Sequence, residues 1–414
     1  MKKFILSPSF QNQLWTYLAM GFNAFFAPIL MLITTRLVGL EMAGVLAYAV
    51  SVTYLLQTLM IFSVNNYQAA DVREAYGFNI YLLTRMVTAL FATIALVVFL
   101  VVVRPNHLQI VIILLFYAIY LMVAFANVYI MDFLQKGQMR FGGRMSTLAF
   151  GLAIIAFFAA IFITRDVLIA LVAAGLVKLL VYVAWVWLFR NRVGKVSLEL
   201  NFLMVKKLII SVFPAFLAVL VLTYLANAQK YYLEAFSTNE SIALYSIVIL
   251  PASMLPLALN PLFLGASTSQ ISRMYHDGLL QLFYRNIHIR FLLVLAAMVP
   301  FLVIVHFLGV PMLSWLYGID VSPYRRYLML LSGGGFFTLM VPFFGVLLII
   351  MRKLKIYMCL IAGVSLLVGP LMFFLVRRYG LTGAAYANLV IYAPMTIALY
   401  VVLLYTLRRE RGML

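Results

Sequence analysis

Basic side chains inside long apolar stretches are the residues of this sequence best placed to bind a ligand. Lys178 lies at the centre of the apolar run 167 to 189, eleven residues from either end. A charged side chain at that depth in a bilayer is costly, so such a residue pairs with another group or faces an aqueous path. Two interpretations stay open: a lysine paired with a carboxylate or with helix carbonyls, and a cation that lines the path of an anionic ligand.

Arg36 and Lys230 are two further cations, and they occupy matching places. Each stands near the end of a long apolar run and is followed by a short connection, after which the next run opens with small residues and a tyrosine, Tyr48 or Tyr245. Snorkelling of the side chain to the membrane surface explains either cation alone. Their matching positions indicate that the chain contains a duplicated unit.

Uncharged polar residues follow helical spacing in several runs. Thr223, Asn227 and Lys230 stand at i, i+4 and i+7, which places them on one face of a helix. Further candidates for a polar cavity lie in the second and eighth runs: Tyr48, Ser51, Tyr54, Gln57 or Thr58, Ser246, Ser253 and Asn260. Such residues also form hydrogen bonds between membrane helices. Their concentration in runs one, two, seven and eight favours a cavity.

Two segments that lie two hundred positions apart strengthen the evidence for duplication. The first extends from Asp71 to Arg85 and the second from Ser272 to Arg285. Each contains an arginine, Arg73 or Arg273, with a tyrosine and a glycine close behind it and a second arginine twelve residues later, just before the next apolar run. The chain is therefore predicted to contain two related halves.

Prolines in two of the runs predict bent helices. Pro214 opens the seventh run, and Pro251, Pro256 and Pro261 interrupt the eighth at intervals of five residues. Each proline removes a helix hydrogen bond and clashes with the preceding turn. Such bends serve as hinges in transporters, although static helix bundles contain them too.

No residue pattern for catalysis or cofactor binding accompanies these cations. The sequence has no GxxxxGK[ST] loop for nucleotide phosphates, and its four His and single Cys359 lack metal-ligand spacing. The pair His276 and Asp277 is the only one that suits a transferase at a membrane face, and a position in an inner loop explains it. We therefore expect no enzyme, no metal and no cofactor.

The elements that must position these residues are membrane helices. Hydrophobic residues make up 66% of the 414 and charged residues 10%, with a mean hydropathy of +1.10, whereas soluble domains have roughly 45–50% and ~25%. Twelve apolar runs have a length that suits a bilayer. They are about 12 to 38, 44 to 64, 80 to 103, 108 to 131, 145 to 164, 167 to 189, 208 to 229, 241 to 264, 290 to 308, 326 to 350, 356 to 376 and 381 to 407.

The placement of positive charge predicts the topology. If the amino terminus is cytoplasmic, 21 of the 30 Lys and Arg fall on the inner face, as the positive-inside rule requires. Both termini are then cytoplasmic. The net charge of +19 is mainly topological information, aided by anionic lipid, so we expect no nucleic acid partner. We also expect a monomer.

A polar connection near the midpoint predicts the domain organisation. Residues 191 to 207 form a cytoplasmic linker rich in basic residues. Residues 1 to 190 then form an N-lobe of six helices, and residues 208 to 414 form a C-lobe of six helices. The predicted fold class is an all-α integral membrane protein with twelve transmembrane helices in two pseudo-symmetric lobes around a central cavity.

Three further segments resemble a known superfamily. They are Thr35 to Gly44 between the first and second runs, Asn66 to Asp71 after the second, and Tyr379 to Ala385 at the start of the twelfth. With the twelve runs in two halves, they resemble the multidrug, oligosaccharidyl-lipid and polysaccharide (MOP) exporter superfamily, and within it the Wzx-type polysaccharide flippases. The resemblance covers nearly the whole chain and is poorly specific for the cargo.

The resemblance implies a flippase that works by alternating access. It would move a polyprenyl-diphosphate-linked oligosaccharide from the inner to the outer leaflet of a bacterial cytoplasmic membrane, with glycan polymerase and chain-length proteins as partners. By position, Arg36 and Lys230 would face the cavity or its outer mouth, and Arg85 and Arg285 its inner mouth. Lys178 fits less well, because the sixth span is not a usual cavity wall.

Two alternatives remain open at this stage. A drug or metabolite exporter of the same superfamily would share the fold and differ in cargo, and such proteins tend to carry an acid within the membrane. All eleven acids of this chain lie at the ends of runs or in loops. A membrane glycosyl or acyl transferase would need a carboxylate or histidine site at a membrane face.

Overall fold

The computed structural model describes residues 8–71, 74–194, 201–263 and 267–410, and in these ranges the chain is all-helical. The predicted all-α fold class is therefore confirmed. The α-helices, in chain order, are α1 Pro8–Leu37, α2 Leu40–Ile61, α3 Val64–Ala70, α4 Phe78–Val103, α5 His107–Gln135, α6 Met139–Thr164, α7 Val167–Leu188, α8 Phe202–Phe236, α9 Asn239–Val248, α10 Leu250–Phe263, α11 Ser267–His276, α12 Leu280–Ile304, α13 Val310–Tyr317, α14 Arg325–Ile350 and α15 Leu354–Glu410. Two short segments of other helix types are the π-helix Val305–Gly309 and the 3-10 helix Ser322–Tyr324.

Ten helical segments of the described chain are long and apolar enough to cross a bilayer. The last of these, Leu354–Arg409, is 56 residues long and breaks at Gly380, where φ is 52° and ψ is −126°. Helices α9 and α10 together cover the eighth predicted run. If the two parts of α15 are counted separately and α9 with α10 is counted as one span, the helices are consistent with the twelve predicted spans.

The backbone at the break in α15 requires glycine at two positions, Gly380 and Gly383. The positive φ of Gly380 belongs to a region that residues with a side chain rarely adopt. A Cβ atom on Gly383 would lie only 2.0 Å from the carbonyl oxygen of Leu375. Both positions therefore require glycine, because the backbone at the break leaves no space for a side chain.

The chain divides into two compact units, Met1–Tyr224 (unit 1) and Leu225–Leu414 (unit 2). The boundary falls inside the continuous helix α8. The first part of α8 packs within unit 1, where the ring of Phe216 stacks on that of Phe62 with 3.8 Å between centroids. The sequence-based division at residues 190 and 208 stays a prediction about the functional lobes.

Unit 1 is built around close packing of α1 with α6 and of α6 with α7. Gly143 permits the first of these contacts, because a Cβ atom there would lie 2.6 Å from the carbonyl oxygen of Trp15. Asn12 fixes the start of α6: its amide nitrogen donates to the carbonyl oxygen of Gly137 at 2.8 Å, and its amide oxygen accepts from the backbone N–H of Arg140 at 2.8 Å. Small residues and one polar clamp thus set the relation between α1 and α6.

Unit 2 is organised by α14, which packs against α15, α10 and α12. Gly335 of α14 lies against Ala252 of α10, where an added Cβ atom would be 3.2 Å from the Ala252 Cα. Aromatic rings fill the space between α12 and α15, and Phe291 and Tyr400 stack with 5.4 Å between centroids and 11° between planes. Packing of α14 thus positions the polar residues of α10 and α15.

The predicted helix interruptions are found in part. The eighth run breaks at Ile249, and α10 begins at Leu250 with Pro251 in its first turn, which is where proline is tolerated in a helix. Pro256 and Pro261 lie within α10, the side chain of Pro261 being outside the described residues. Pro214 lies within the continuous α8. Whether the four prolines act as hinges stays a prediction.

Candidate functional site

Lys178 is completely buried within unit 1. Its side chain is 0% exposed, and its Nζ lies 3.5 Å from the ring centroid of Phe26 on α1 and 3.6 Å from that of Phe150 on α6. The two rings meet edge to face at 5.2 Å. Within the described part of the chain, the Nζ has no hydrogen-bond partner. Two aromatic faces therefore take the place of the carboxylate or carbonyls that one interpretation predicted.

The polar residues predicted on α2 lie in two different environments. Tyr48 is 3% and Ser51 0% exposed, and the Ser51 hydroxyl donates to the Tyr48 carbonyl oxygen at 2.7 Å, so both belong to the buried side of the helix. Tyr54 and Gln57 are half-buried, and the ring of Tyr54 meets that of Tyr120 edge to face at 5.4 Å. Only the later part of the predicted stripe is therefore accessible.

Helix α8 carries a polar face near its end. Asn227 is buried, whereas Lys230 is half-buried and has no hydrogen bond or ion pair with any residue that the structure describes. Thr223 lies four residues before Asn227 on the same helix, and its hydroxyl accepts a hydrogen bond from the Thr58 hydroxyl at 3.2 Å. The Lys230 ammonium has polar neighbours and no acidic partner among the described residues, so it is suited to bind an anion from outside the protein.

Gln229 is a buried polar residue that the sequence analysis missed. Its side chain is 0% exposed, and neither its amide oxygen nor its amide nitrogen has a hydrogen-bond partner among the described residues. A buried amide without partners costs about 1 to 3 kcal/mol. The signal was present in the sequence, because Asn227-Ala-Gln229-Lys230 is an unusually polar stretch for an apolar run. Asn260 lies in α10, but its side chain falls outside the described residues.

Arg85 and Arg285, predicted as equivalent cations, occupy different environments. Arg85 is 1% exposed, and its guanidinium donates to the carbonyl oxygen of Met60 and to the amide oxygen of Asn65. It thereby satisfies a carbonyl at the end of α2, where the chain turns into α3. Arg285 is exposed near the start of α12 and lines a depression of about 770 Å³. Arg36 is exposed in the last turn of α1.

The two repeated segments share an arrangement of helices. In each unit a short helix, α3 or α11, is followed by a turn that contains glycine and then by a long helix, α4 or α12. Arg73, which belongs to the first repeat, lies outside the described residues. The duplication seen in the sequence therefore corresponds to a repeated local structure, although the arginines that end the repeats differ in burial.

Asp71 organises the turn in the first repeat. Its carboxylate accepts hydrogen bonds from the backbone N–H groups of Ala75 at 2.8 Å and Tyr76 at 3.0 Å and from the Tyr81 hydroxyl at 2.6 Å. Its carbonyl oxygen accepts a hydrogen bond from the side chain of Gln135. The carboxylate of Asp71 thus joins the turn to the start of α4, and its backbone carbonyl joins the turn to the end of α5.

The hydrogen bonds of Asp71 make the stability of unit 1 depend on pH. Burial is the largest influence and would raise the pKa of Asp71, but the hydrogen bonds from Tyr81, Ala75 and Tyr76 together lower it below its ordinary value of 3.8. The contribution of a carboxyl with a lowered pKa is fully present above the ordinary pKa and is lost as the pH falls through the folded value. We expect Asp71→Asn to destabilise the protein by about 1 to 3 kcal/mol at neutral pH, with the difference shrinking below about pH 4.

Thermal unfolding of the purified protein in detergent, measured from neutral pH to below pH 4, checks this expectation. Glu74→Gln is the matched control, because Glu74 is exposed in the same turn. A difference between wild type and Asp71→Asn that stays constant over the whole range would contradict the proposed linkage.

Acidic residues avoid the middle of the helices throughout the described chain. Glu41 and Glu240 lie in first helical turns, and Asp166 caps the start of α7. Asp132, in the last turn of α5, is buried and pairs with Lys136 at 2.7 Å. The described residues contain no group of three or more His, Cys, Asp or Glu side chains that could hold a metal ion.

Comparison with known proteins identifies the fold. No protein-family model and no curated protein matches the sequence. Among solved structures, an inward-facing multidrug resistance MATE family transporter of the MOP superfamily matches with a TM-score of 0.72 and 13% identity over 94% of this chain and 96% of that one. The outward-facing conformation of such a transporter matches with a TM-score of 0.61 and 13% identity over 98% and 97%.

A third solved structure is a MOP superfamily transporter from Pyrococcus furiosus, described as having a binding pocket of reverse polarity that suggests a different function. It matches with a TM-score of 0.59 and 14% identity over 98% of this chain and 97% of that one. At these identities the likeness establishes a shared fold. The protein therefore has the fold of MATE-family transporters of the MOP superfamily.

Proposed function

We propose that this chain, which shares the fold of MOP-superfamily transporters, is a flippase for a lipid-linked anionic glycan. It moves a polyprenyl-diphosphate-linked oligosaccharide from the inner to the outer leaflet of a bacterial cytoplasmic membrane by alternating access, with both termini in the cytoplasm. Its fold supports the transporter class. The sign of the charges within its helices supports the anionic cargo.

The observation that carries the proposal is that the described helices contain basic residues, but no carboxylate, away from their first and last turns. Lys178 is at the centre of α7 and Lys230 is on α8, and neither is paired with a carboxylate of the described chain. A cationic cargo calls for a carboxylate at depth, as in proton and sodium sites. The half-buried Lys230 can contact a diphosphate directly, whereas Lys178, which is completely buried between two rings, attracts one only over a distance. Both attractions are stronger at an effective dielectric constant below that of water.

Polar side chains suit the glycan part of such a cargo. The half-buried Tyr54 and Gln57 on α2 offer a hydroxyl and an amide that can replace the hydration of sugar hydroxyls. We propose that these residues, with Arg36, Lys230, Asn227 and Asn260, contact the cargo along its path. Arg285 would contact the cargo at the cytoplasmic start of that path.

The second candidate function is export of a drug or metabolite, which the fold also accommodates. The description of two of the matched structures as multidrug resistance transporters favours it. The Pyrococcus furiosus protein is described as having a pocket of reverse polarity, so this fold accommodates pockets that differ in polarity. The absence of a carboxylate from the middle of any described helix argues against a cationic drug here.

The test is transport by the purified protein in proteoliposomes. The substrate is a fluorescent polyprenyl-diphosphate oligosaccharide, and a glycosidase that cannot cross the bilayer reports the leaflet it occupies. We expect Arg36→Ala combined with Lys230→Ala to lower the initial rate at least about tenfold, since each lost charge-assisted contact weakens binding by about 1.5 to 3 kcal/mol. Arg104→Ala is the control, because Arg104 is exposed at the end of α4.

Two outcomes would contradict the flippase. Full activity of the double variant would show that transport does not need Arg36 and Lys230, which contradicts a cationic path for the cargo. Failure of the wild-type protein to move the glycan, together with uptake of a fluorescent lipophilic cation, would favour the drug exporter instead.

A further inference from the structure

An apolar groove opens on the surface of unit 1 between α5 and α7. Its volume is about 620 Å³. The side chains that form its two walls include Met122, Phe125 and Tyr129 on α5 and Tyr182, Val183 and Trp187 on α7. Arg190, just beyond the end of α7, closes one end of the groove.

The groove begins next to a close contact between the two helices and extends to Tyr129, Trp187 and Arg190, which mark what we call its wide end. At the close end, Gly175 of α7 faces Ile119 of α5, and an added Cβ atom would lie 3.4 Å from the Ile119 Cγ1. At the wide end the walls carry the large rings of Tyr129 and Trp187. From Leu179 to Arg190 the groove follows eleven residues of chain, a length of roughly 16 Å at the rise of an α-helix.

The wide end of the groove carries a strong excess of positive charge. Arg190 lines the groove itself, and Arg192 follows two residues later. Lys136 at the end of α5 and Arg140 at the start of α6 are linked to Arg192: the Lys136 ammonium donates to the carbonyl oxygen of Arg192 at 3.3 Å, and the guanidiniums of Arg140 and Arg192 lie 4.9 and 4.7 Å from the ring centroid of Phe141.

One acid partly offsets this charge. Asp132 accepts from Lys136 at 2.7 Å and from the backbone N–H of Gly194 at 3.1 Å, so its carboxylate is already engaged. Arg190 is exposed, and its one contact with another side chain of the described chain is with the ring of Trp187, at 5.8 Å. The guanidinium at the end of the groove is therefore available to an external anion.

We propose that this groove is a binding site for one anionic glycerophospholipid. An acyl chain lies along the walls of α5 and α7, and the lipid phosphate contacts Arg190. An apolar groove of this size is filled by lipid in a bilayer, and a tryptophan and a tyrosine at its wide end suit the headgroup level. Basic residues near the membrane surface each favour anionic lipid by about 1 kcal/mol, so the charge excess selects phosphatidylglycerol over phosphatidylcholine.

The experiment measures lipid binding to the delipidated protein in detergent by native mass spectrometry, with thermal stability as a second readout. Phosphatidylglycerol is titrated in parallel with phosphatidylcholine. We expect one tightly held copy of phosphatidylglycerol, at least about fivefold stronger binding than for phosphatidylcholine, and a higher unfolding temperature.

Two pairs of variants test the position of the lipid. Val183→Trp fills the groove, and Leu180→Trp is its control, because Leu180 is 67% exposed on the same helix and does not line the groove. Arg190→Gln removes the phosphate contact, and Arg104→Gln is its control. We expect Val183→Trp and Arg190→Gln each to weaken phosphatidylglycerol binding at least about fivefold, with both controls unchanged.

Three results would overturn the inference. Equal binding of the two phospholipids, or equal effects of a variant and its control, would mean ordinary lipid solvation of the surface. Preferential displacement of phosphatidylglycerol by a polyprenyl phosphate would mean that the groove takes an isoprenoid tail. Should Val183→Trp fail to fold, Arg190→Gln decides alone, because Arg190 is exposed. None of these measurements depends on transport.

Discussion

Replacing Lys178 with methionine is expected to raise the thermal stability of the protein and to lower glycan transport about a hundredfold, the equivalent of roughly 2.7 kcal/mol. Taking an ammonium out of water costs several kcal/mol, and contact with aromatic faces returns about 2 kcal/mol. No hydrogen bond to the Nζ makes up the rest within the described chain. Methionine has a similar length and makes favourable contacts with rings such as those of Phe26 and Phe150.

The loss of transport in this prediction depends on the proposed function. A residue that reduces stability is retained where it serves activity, and an ionisable group inside a membrane helix is a functional candidate on the same grounds. The measurements are the unfolding temperature in detergent and the flipping rate in proteoliposomes. Leu180→Met is the control, because Leu180 is on the same helix and 67% exposed.

Two other outcomes would assign Lys178 a different role. A stabilised variant with full transport would show that Lys178 lowers the stability of the protein and has no role in transport. A destabilised variant would show that the contacts of the ammonium with Phe26 and Phe150, at 3.5 and 3.6 Å, hold α1, α6 and α7 together.

Replacing Arg85 with methionine is expected to destabilise the protein by about 1 to 3 kcal/mol, the cost of leaving buried hydrogen-bonding groups without a partner. Arg85 is 1% exposed and supplies hydrogen bonds to the carbonyl oxygen of Met60 and to Asn65. The Thr88 hydroxyl also donates to the Met60 carbonyl, at 2.7 Å, so that acceptor keeps one partner, whereas Asn65 loses the guanidinium. The turn from α2 into α3 would lose the buried group that fixes it.

The duplication supplies the matched control for this variant. Arg285 occupies the equivalent place in the second repeat but is exposed, so Arg285→Met should change the stability by less than about 0.5 kcal/mol. Unfolding in detergent, followed by intrinsic fluorescence, compares the two variants. Equal destabilisation by both would contradict the assignment of different environments to the two arginines.

The sequence predicted the elements well, because the signal for a membrane helix is simple. A run of about twenty apolar residues must form a helix in a bilayer. The predicted eighth run breaks beside Pro251, whereas Pro214 and Pro256 lie within continuous helices. These features depend on local chain properties, which can be read without a fold.

The environments of single polar residues were harder to predict, because they depend on which face of a helix meets which neighbour. Lys178 and Arg85 both lie in or beside apolar runs, yet one contacts two rings and the other closes a helix end. Gln229 was overlooked because it lies between two more conspicuous residues, Asn227 and Lys230. Helical spacing places residues on a face, but packing determines what that face touches.

The tight glycines have a consequence for genetic screens of this protein. A Cβ atom added to Gly383 would lie 2.0 Å from the carbonyl oxygen of Leu375, and one added to Gly143 would lie 2.6 Å from that of Trp15, so neither position has space for a side chain. A saturation screen for lost transport would therefore return both positions among its strongest hits, because substitution there prevents correct packing. Scoring protein abundance in the same library would separate such hits, which lower the amount of protein, from cargo-binding residues, which leave the amount unchanged.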